Sequence, residues 1–440
     1  MQPSTRTVNV GIIGLGTVGG GVYRLITTHA ERYRKNLGID LRVARVCNRS
    51  EKRAHELGID PEQFTSDWHD VVSDPSIDIV VEVIGGEHPA TEIFEQSFAA
   101  GKHVVTANKA LLGRHMEKLA TAARAAGVQL RCEASCGGGI PIVNTLEHDL
   151  SGNEVITVAG IVNGTTNYIL SRMAEEGLGY EEVLADAQRL GYAEADPTAD
   201  VDGLDAASKI AILSSIGFAT RITTDDVHAQ GIRAISAQDI EVARKLGYAI
   251  KMLAIGHRTG SGIDVRVHPA MIPASHPLAG VSGAMNAVYV VGDAVGETMF
   301  YGAGAGAFPT ASAVVGDVLA LAEPLSVGTN PLPEPEPFKR ELAIRDIRDL
   351  STRYYVRIVP GDTGDAQARA EEILTEHGIA TEQVMKLEDG SFALVTGAAC
   401  EGAMTNALAE MAHGEGAVRE VANAIRIEDM TAWTEGVEAN

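Results

Sequence analysis

The segment Gly14-Leu15-Gly16-Thr17-Val18-Gly19 constrains the fold of this chain more than any other stretch. It follows the short apolar run Val8–Ile13 and opens a helix-like stretch over 19–30. Between a strand and a helix, each glycine of a G-x-G-x-x-G has a physical purpose. The first permits a tight turn, the second lets backbone N–H groups approach a pyrophosphate, and the third lets the helix pack closely on the strand. Gly14, Leu15, Gly16, Thr17, Val18 and Gly19 are therefore candidate cofactor-binding residues. A glycine-rich turn without a ligand is the bland alternative.

The end of the second strand decides which dinucleotide fits. An Asp or Glu there binds the ribose 2′-hydroxyl of NAD; here the residues are Asn48-Arg49-Ser50. Arg49 suits a 2′-phosphate, which favours NADP with NAD still possible. The competing reading makes Arg49 a solvated loop residue.

Apolar runs at 8–13, 41–47, 77–84 and 103–106 alternate with helix-like stretches at 19–30, 51–57, 89–100 and 111–126. Continuous apolar strands alternating with helices predict a parallel sheet covered on both faces. From 150 to 300 the pattern loosens. Strands are expected at 152–162, 249–258, 264–272 and 286–293, and helices at 166–176, 180–190 and 204–216. Residues 302–322 read as a glycine-rich turn and a helix. The proline-rich stretch EPLSVGTNPLPEPE (323–336) suits neither a regular helix nor a central strand and reads as a linker. Beyond it, strand-like 354–360, 390–397 and 418–427 and helix-like 365–377 and 404–413 suggest a βαββαβ, ferredoxin-like unit.

Lys plus Arg is 36 against 59 Asp plus Glu, a net charge of −23. This excess argues against nucleic acid or an anionic membrane as partner. No apolar run approaches the roughly 18 residues of a membrane span, and the N-terminus lacks signal-peptide anatomy. Together with four cysteines lacking zinc-like spacing, this leads us to expect a cytoplasmic protein.

Asp205 and Lys209 lie four residues apart on one helix face, with Leu204, Ala207, Ile210 and Ala211 apolar on another. A surface salt bridge is one reading. The other draws on the carboxylates crowded just upstream, Glu194, Asp196, Asp200 and Asp202, which suit the ammonium of an amino-acid substrate. A partly desolvated lysine held by an aspartate could then exchange a proton with a substrate oxygen. Lys109, in Thr106-Ala107-Asn108-Lys109, follows the fourth expected strand, where ligands gather in doubly wound sheets. It is either an active-site cation or a surface lysine placed against the helix dipole.

The blocks GLGTVGGGV (14–22), IVVEVIGG (79–86), TANKALL (106–112), CEASCGGGIPI (132–142), GIVNGTTNYIL (160–170) and GYAEADPTADVDGLDAASKIAIL (191–213) resemble homoserine dehydrogenase over residues 1–322. The tail resembles the ACT regulatory domain that many bacterial members carry. The resemblance implies NAD(P)H-dependent interconversion of L-aspartate 4-semialdehyde and L-homoserine, on the way to threonine and methionine. It implies an α/β chain in four parts. Residues 1–140 form a Rossmann-type nucleotide-binding domain completed by about 302–322, and 141–301 an α+β catalytic and dimerisation domain. A linker spans 323–345, and 346–440 form a ferredoxin-like ACT domain.

By the same resemblance Lys209 is the proton donor with Asp205 beside it. Glu194 binds the substrate amino group, and Lys109 lies near nicotinamide and substrate; Asp200, from the crowded carboxylates, is a second candidate for that ammonium. Gly306 contacts the cofactor. A monovalent cation, usually sodium, is held by the backbone carbonyls of Glu133, Cys136, Gly138 and Ile140. A homodimer or homotetramer is expected. The tail departs from the ACT pattern at Pro360–Ala368, where the Asp-x-Pro-Gly-like ligand loop is altered, so threonine as an effector is an open expectation. Two rivals remain: an aspartate-semialdehyde dehydrogenase with Cys136 as nucleophile, and a dinucleotide-sensing regulator without turnover.

Overall fold

The computed structural model describes residues 6–333, 338–413 and 416–435. These divide into two compact units. The first comprises Met1–Gly152, Ala211–Asp225 and Phe300–Glu341; the second comprises Asn153–Ile210, Asp226–Met299 and Leu342–Asn440.

The first unit alternates strand and helix. Its elements are β1 (Thr7–Ile13), α1 (Thr17–Leu37), β2 (Asp40–Cys47), α2 (Lys52–Leu57), β3 (Phe64–Thr65), α3 (His69–Val72), β4 (Ile79–Glu82), α4 (Ala90–Ala99), β5 (His103–Thr106), α5 (Lys109–Ala125) and β6 (Leu130–Arg131). The strands form one sheet in the order β3-β2-β1-β4-β5-β6. Every neighbouring pair is parallel. The chain winds outward from β1 in one direction and then from β4 in the other. The carboxyl ends of β1 and β4 therefore flank the switch point where ligands bind in such sheets. The strands are apolar because helices cover both faces; Val8, Val10 and Ile12 of β1 are fully buried.

The helix Ala307–Ser326 also belongs to this unit. It is the described helix long and apolar enough to cross a membrane, contrary to the expectation that no run approaches that length. Its apolar residues Ala311, Val314, Val318, Leu321 and Ala322 are fully buried in the same core as β1 and α1, so it is a core helix. It also carries Pro324 inside its last turn and ends at Ser326, four residues into the stretch expected to be non-helical. A proline removes one intrahelical bond, and here the helix stops within two residues of it. Residues 334–337 of the expected linker lie outside the described residues.

The second unit begins with β7 (Val155–Ile161), α6 (Gly164–Glu176), α7 (Tyr180–Leu190), α8 (Thr198–Val201) and the first turns of α9 (Leu204–Phe218). There follow β8 (His228–Ala229), α10 (Ala237–Lys245), β9 (Tyr248–Thr259), β10 (Gly262–Pro273), β11 (Met285–Gly292) and the start of β12 (Gly296–Ala303). After α11, the Ala307–Ser326 helix, come β13 (Ser351–Pro360), α12 (Ala366–Glu376), β14 (Thr381–Lys386), β15 (Phe392–Thr396), β16 (Ala399–Cys400), α13 (Glu401–His413) and β17 (Val418–Ile427). The strand order β11-β7-β9-β10-β17-β13-β15-β14 is one continuous sheet.

The division read from the sequence treated the tail as a separate part. Here its last strand pairs in parallel with β10, at Ala270↔Arg426 and Met271↔Ile427. A buried ion pair fastens the junction, Arg266 Nη2 to Glu428 Oε2 at 2.9 Å, and Arg426 Nη1 donates across it to Gln230 Oε1 at 2.7 Å. Beyond β17 the chain returns to β7, where the Thr157 hydroxyl donates to the carbonyl of Trp433.

Candidate functional site

In the first unit the glycine turn has the geometry its sequence predicts. Gly14 takes φ 106°, and a side chain there would press on the Val83 carbonyl. A methyl group on Gly19 would overlap the Gly14 carbonyl oxygen. Around Gly16 a Cβ would meet no atom within 4 Å, so this side of the turn is open. Gly16 is the N-cap of α1, and no side chain caps the helix there. The first N–H groups of α1 are thus left to a ligand, and the helix dipole favours an anion. Asn48 at the end of β2 steadies the turn by accepting from the Leu15 N–H at 3.2 Å. Arg49 is exposed, and no described residue holds its guanidinium.

The ends of β4 and β5 are tied together beside this turn. Glu82 is fully buried; its carboxylate accepts from the N–H groups of Ile84 (2.8 Å) and Gly85 (3.1 Å) and from the Thr106 hydroxyl (2.7 Å). Burial pushes this carboxyl above its ordinary pKa, against those hydrogen bonds. Asn108 donates to the Gly86 carbonyl (2.6 Å) and caps α5 by accepting from Leu111 N–H. Lys109 is the first residue of α5, half-buried. A carboxylate in the middle of the apolar run IVVEV is the sequence signal for Glu82.

The loop 132–142 lies in the same unit. The Glu133 carboxylate accepts from the N–H groups of Ile142 (2.7 Å), Val143 (3.0 Å) and Asn144 (2.7 Å). That side chain is spent on capping a helical turn, and the Glu133 carbonyl accepts from the Cys136 N–H at 3.4 Å. Gly138 takes φ 54°, and its missing Cβ makes room for the Gly304 carbonyl. Among the described residues no donor reaches the carbonyl oxygens of Gly138 and Ile140. Oxygen atoms of this kind suit a hard monovalent cation. No cluster of three or more His, Cys, Asp or Glu side chains forms a metal site among the described residues. Behind the loop Asp317 is buried; desolvation pushes its carboxyl up to about 7 although it accepts from Glu133 N–H at 2.9 Å. Cys136 is fully buried, a poor place for an attacking thiolate. Gly306 is the N-cap of α11 at φ 122°.

In the second unit Lys209 and Asp205 are not a surface pair. Their side chains are 9% and 8% exposed, and Lys209 Nζ lies 2.7 Å from Asp205 Oδ2. The exposed residue of this helix start is Leu204 instead. Burial of the pair is compensated by its surroundings. Lys209 also donates to the Val162 carbonyl at 2.7 Å, and Asn163 donates to Asp205 Oδ2 at 2.8 Å. The same Asn163 amide donates to Asp200 Oδ1 at 2.7 Å. Asn163, whose local sequence signal is only that of a helix N-cap, thus joins the cluster as the N-cap of α6.

Two of the other carboxylates are engaged elsewhere. Asp196 caps the Thr198 N–H, and Asp202 pairs with Arg233 at 2.6 Å. Glu194 is exposed, and no described residue bonds its carboxylate. Its loop is anchored to α6: the Thr165 hydroxyl donates to the Tyr192 carbonyl at 2.7 Å, and Tyr192 stacks on Tyr168.

A parallel sheet with an open glycine turn at its switch point, together with a buried lysine–aspartate pair flanked by acidic groups, defines a nicotinamide-nucleotide-dependent oxidoreductase. The comparisons with known proteins are more specific. Residues 14–133 match the family described as "Homoserine dehydrogenase, NAD binding domain", and residues 141–319 match "Homoserine dehydrogenase". A homoserine dehydrogenase of Synechocystis is 43% identical, over 96% of this chain and 99% of that protein. The crystal structure of a homoserine dehydrogenase from Thiobacillus denitrificans superposes with a TM-score of 0.91 at 40% identity, covering 97% and 99% of the two chains. A hyperthermophilic archaeal homoserine dehydrogenase in complex with NADPH superposes at 0.62 with 25% identity, over 71% of this chain and 97% of that one. The chain belongs to the homoserine dehydrogenase family and is an NAD(P)-dependent oxidoreductase. This sets aside the rival readings as a semialdehyde dehydrogenase and as a regulator without turnover.

Proposed function

We propose that this homoserine dehydrogenase reduces L-aspartate 4-semialdehyde to L-homoserine with Lys209 as proton donor. The observation that carries the assignment is the buried Lys209–Asp205 pair, clamped by Val162 and Asn163. When bound, the reduced nicotinamide supplies the hydride that forms the new C–H bond at the aldehyde carbon. The carbonyl π electrons pass to oxygen, and Lys209 Nζ delivers the proton that completes the alcohol. Asp205 holds the ammonium in place before the transfer. Lys109 adds positive charge where the alkoxide develops. Glu194 and Asp200 take the substrate ammonium, which orients the substrate and reduces the entropy cost of reaching the reactive geometry.

The open glycine turn and the uncapped start of α1 fit a pyrophosphate, and Arg49, free of any described partner, fits a 2′-phosphate. NADP is therefore the preferred cofactor in this reading, with NAD as the alternative. The carbonyls of Glu133, Cys136, Gly138 and Ile140 would hold a sodium-like cation, which would stiffen the loop 132–142. Functionally the chain reads as a nucleotide-binding part (1–140 with 302–322), a catalytic and dimerising part (141–301), a linker (323–345) and an ACT-like tail (346–440). The tail's order β13-α12-β14-β15-β16-α13-β17, which is βαββαβ apart from the two-residue β16, supports the last assignment. We read the enzyme as a cytoplasmic homodimer or homotetramer.

Threonine as an effector would bind the loop before α12. There Asp365 already caps the helix, accepting from the N–H groups of Gln367 and Ala368 at 3.1 Å. Titrating threonine into the reductase assay tests this point, and a flat response at saturation removes it. The reaction is tested by following NADPH and NADH oxidation in parallel with L-aspartate 4-semialdehyde. Faster loss of NADPH supports both the reaction and the role of Arg49. Loss with NADH alone keeps the reaction and rejects Arg49, and loss with neither rejects the reading.

A further inference from the structure

The geometry points to Asn163 as the residue that positions the proton-delivering pair and the ammonium-binding carboxylate together. This rests on the roles proposed above for Lys209, Asp205 and Asp200. Asn163 is buried at the corner between β7 and α6. Its amide has two hydrogens, and each goes to a different carboxylate: one to Asp205 Oδ2 at 2.8 Å, the other to Asp200 Oδ1 at 2.7 Å. Its oxygen accepts from the Thr166 N–H at 2.9 Å. The orientation of the amide is therefore fixed. A flipped amide would set its NH₂ against the Thr166 N–H and its oxygen against two carboxylates.

The consequence concerns two groups with different tasks. Asp205 Oδ2 also accepts from Lys209, and Lys209 donates to the carbonyl of Val162, the residue just before Asn163. One strand-to-helix corner thus orients the lysine through its backbone and the aspartate through its side chain. Asp200 sits on α8 and Asp205 on α9. Without the shared amide these like charges lose the donor between them, and Asp205 loses one of the donors that fix the oxygen facing Lys209.

Capping and positioning can be separated by substitution. Asn and Asp are about equally good N-caps, so Asn163→Asp keeps the acceptor for the Thr166 N–H. It removes both donors and adds a third carboxylate facing Asp200, Asp205 and Lys209. The full-length variant should lose thermal stability, because a buried carboxylate then faces two others, and the folded enzyme should bind NADPH with unchanged Kd. Its kcat should fall about tenfold or more, and KM for the semialdehyde should rise. Crowded carboxylates hold protons to higher pH, so the acid limb of the kcat profile should move up by about one pH unit. A folded Asn163→Asp enzyme with wild-type kcat, KM and pH profile overturns the inference.

If that variant does not fold, Asn163→Ser serves. It keeps a capping oxygen with one donor in place of two, and the same loss of kcat is expected without the shift of the acid limb. Wild-type kcat in it overturns the inference equally. Lys209→Ala is measured alongside. If Lys209→Ala is active, the proposed mechanism itself fails. If it is inactive while Asn163→Asp behaves as wild type, only the role of Asn163 fails.

Discussion

Replacing Gly16 by alanine separates cofactor binding from folding. Gly16 has φ −64°, within reach of any L-residue, and a Cβ built on it touches nothing within 4 Å. The substitution therefore adds no clash to the folded chain. What it fills is the open side of the turn, where the second glycine of the motif admits the pyrophosphate. A backbone N–H needs its acceptor at about 2.9 Å, and a methyl carbon in that space holds the phosphate oxygen farther off. A hydrogen bond to a charged group contributes about 1.5–3 kcal/mol. Losing one weakens binding about 10- to 150-fold, at about 1.4 kcal/mol per factor of ten.

The assay is a fluorescence titration of NADPH, paired with thermal unfolding of the nucleotide-free protein. Gly16→Ala should show the loss in Kd with an unchanged thermal midpoint. Gly19→Ala is the control: its methyl group would overlap the Gly14 carbonyl, so it should lose stability and cofactor binding together. NADPH affinity within about threefold of wild type in a folded Gly16→Ala protein would refute the reasoning, since that is less than the loss of one such bond.

Three other expectations follow from particular groups. Glu194→Ala should raise KM for the semialdehyde about tenfold with little change in kcat, because an exposed carboxylate that only grips the ammonium contributes mainly uniform binding; a loss confined to kcat would contradict this. Arg49→Ala should weaken NADPH about tenfold and leave NADH unchanged, as loss of one charge-assisted contact predicts; equal weakening of both would remove the 2′-phosphate role. Lys251 is buried on β9, donates to the Val281 carbonyl at 2.6 Å, and is pushed by desolvation from 10.5 to about 8. Between those values the unfolded chain binds one more proton than the folded chain, so stability should rise with pH from about 8 to 10.5. At neutral pH the depressed value amounts to about 3 kcal/mol of lost stability. Lys251→Met should recover part of it and flatten that rise, since Val281 still accepts from Asn167; denaturant unfolding at pH 7 and pH 10 measures both, and a variant less stable at pH 7 would oppose the argument.

The nucleotide-binding half was legible because its signals are local. The glycine turn, the apolar strands and the single carboxylate-free end of β2 all lie within a few residues of the groups they act on. The run at 103–106 matches β5 residue for residue, and the helix expected at 180–190 matches α7. Short elements that depend on neighbours were missed: β3 and β6 have two residues each and pair only because β2 and β5 are there. β14 and α10 were also missed, and β14, with a half-exposed mix of side chains, lacks a clean alternation.

Within the site, sequence spacing selected Lys209 and Asp205, the crowding of carboxylates brought in Asp200, and the family resemblance singled out Glu194. It could not separate a surface salt bridge from a buried pair, because what buries the pair is the end of β7, about 40 residues upstream. Asn163 went unselected for the same reason: in the sequence it is a good N-cap, and its two carboxylate partners are brought to it only by the fold. The continuous sheet joining β10 to β17 was invisible too, since nothing local marks a pairing across more than 150 residues.

The central claim is that Lys209 delivers the proton. Its most direct test is the rate of semialdehyde-dependent NADPH oxidation by wild type and Lys209→Ala, each at saturating NADPH with its Kd measured separately. The account predicts rapid turnover in the wild type, a loss of about 100-fold or more in the variant, and unchanged NADPH binding. Turnover of the variant near the wild-type rate would contradict it.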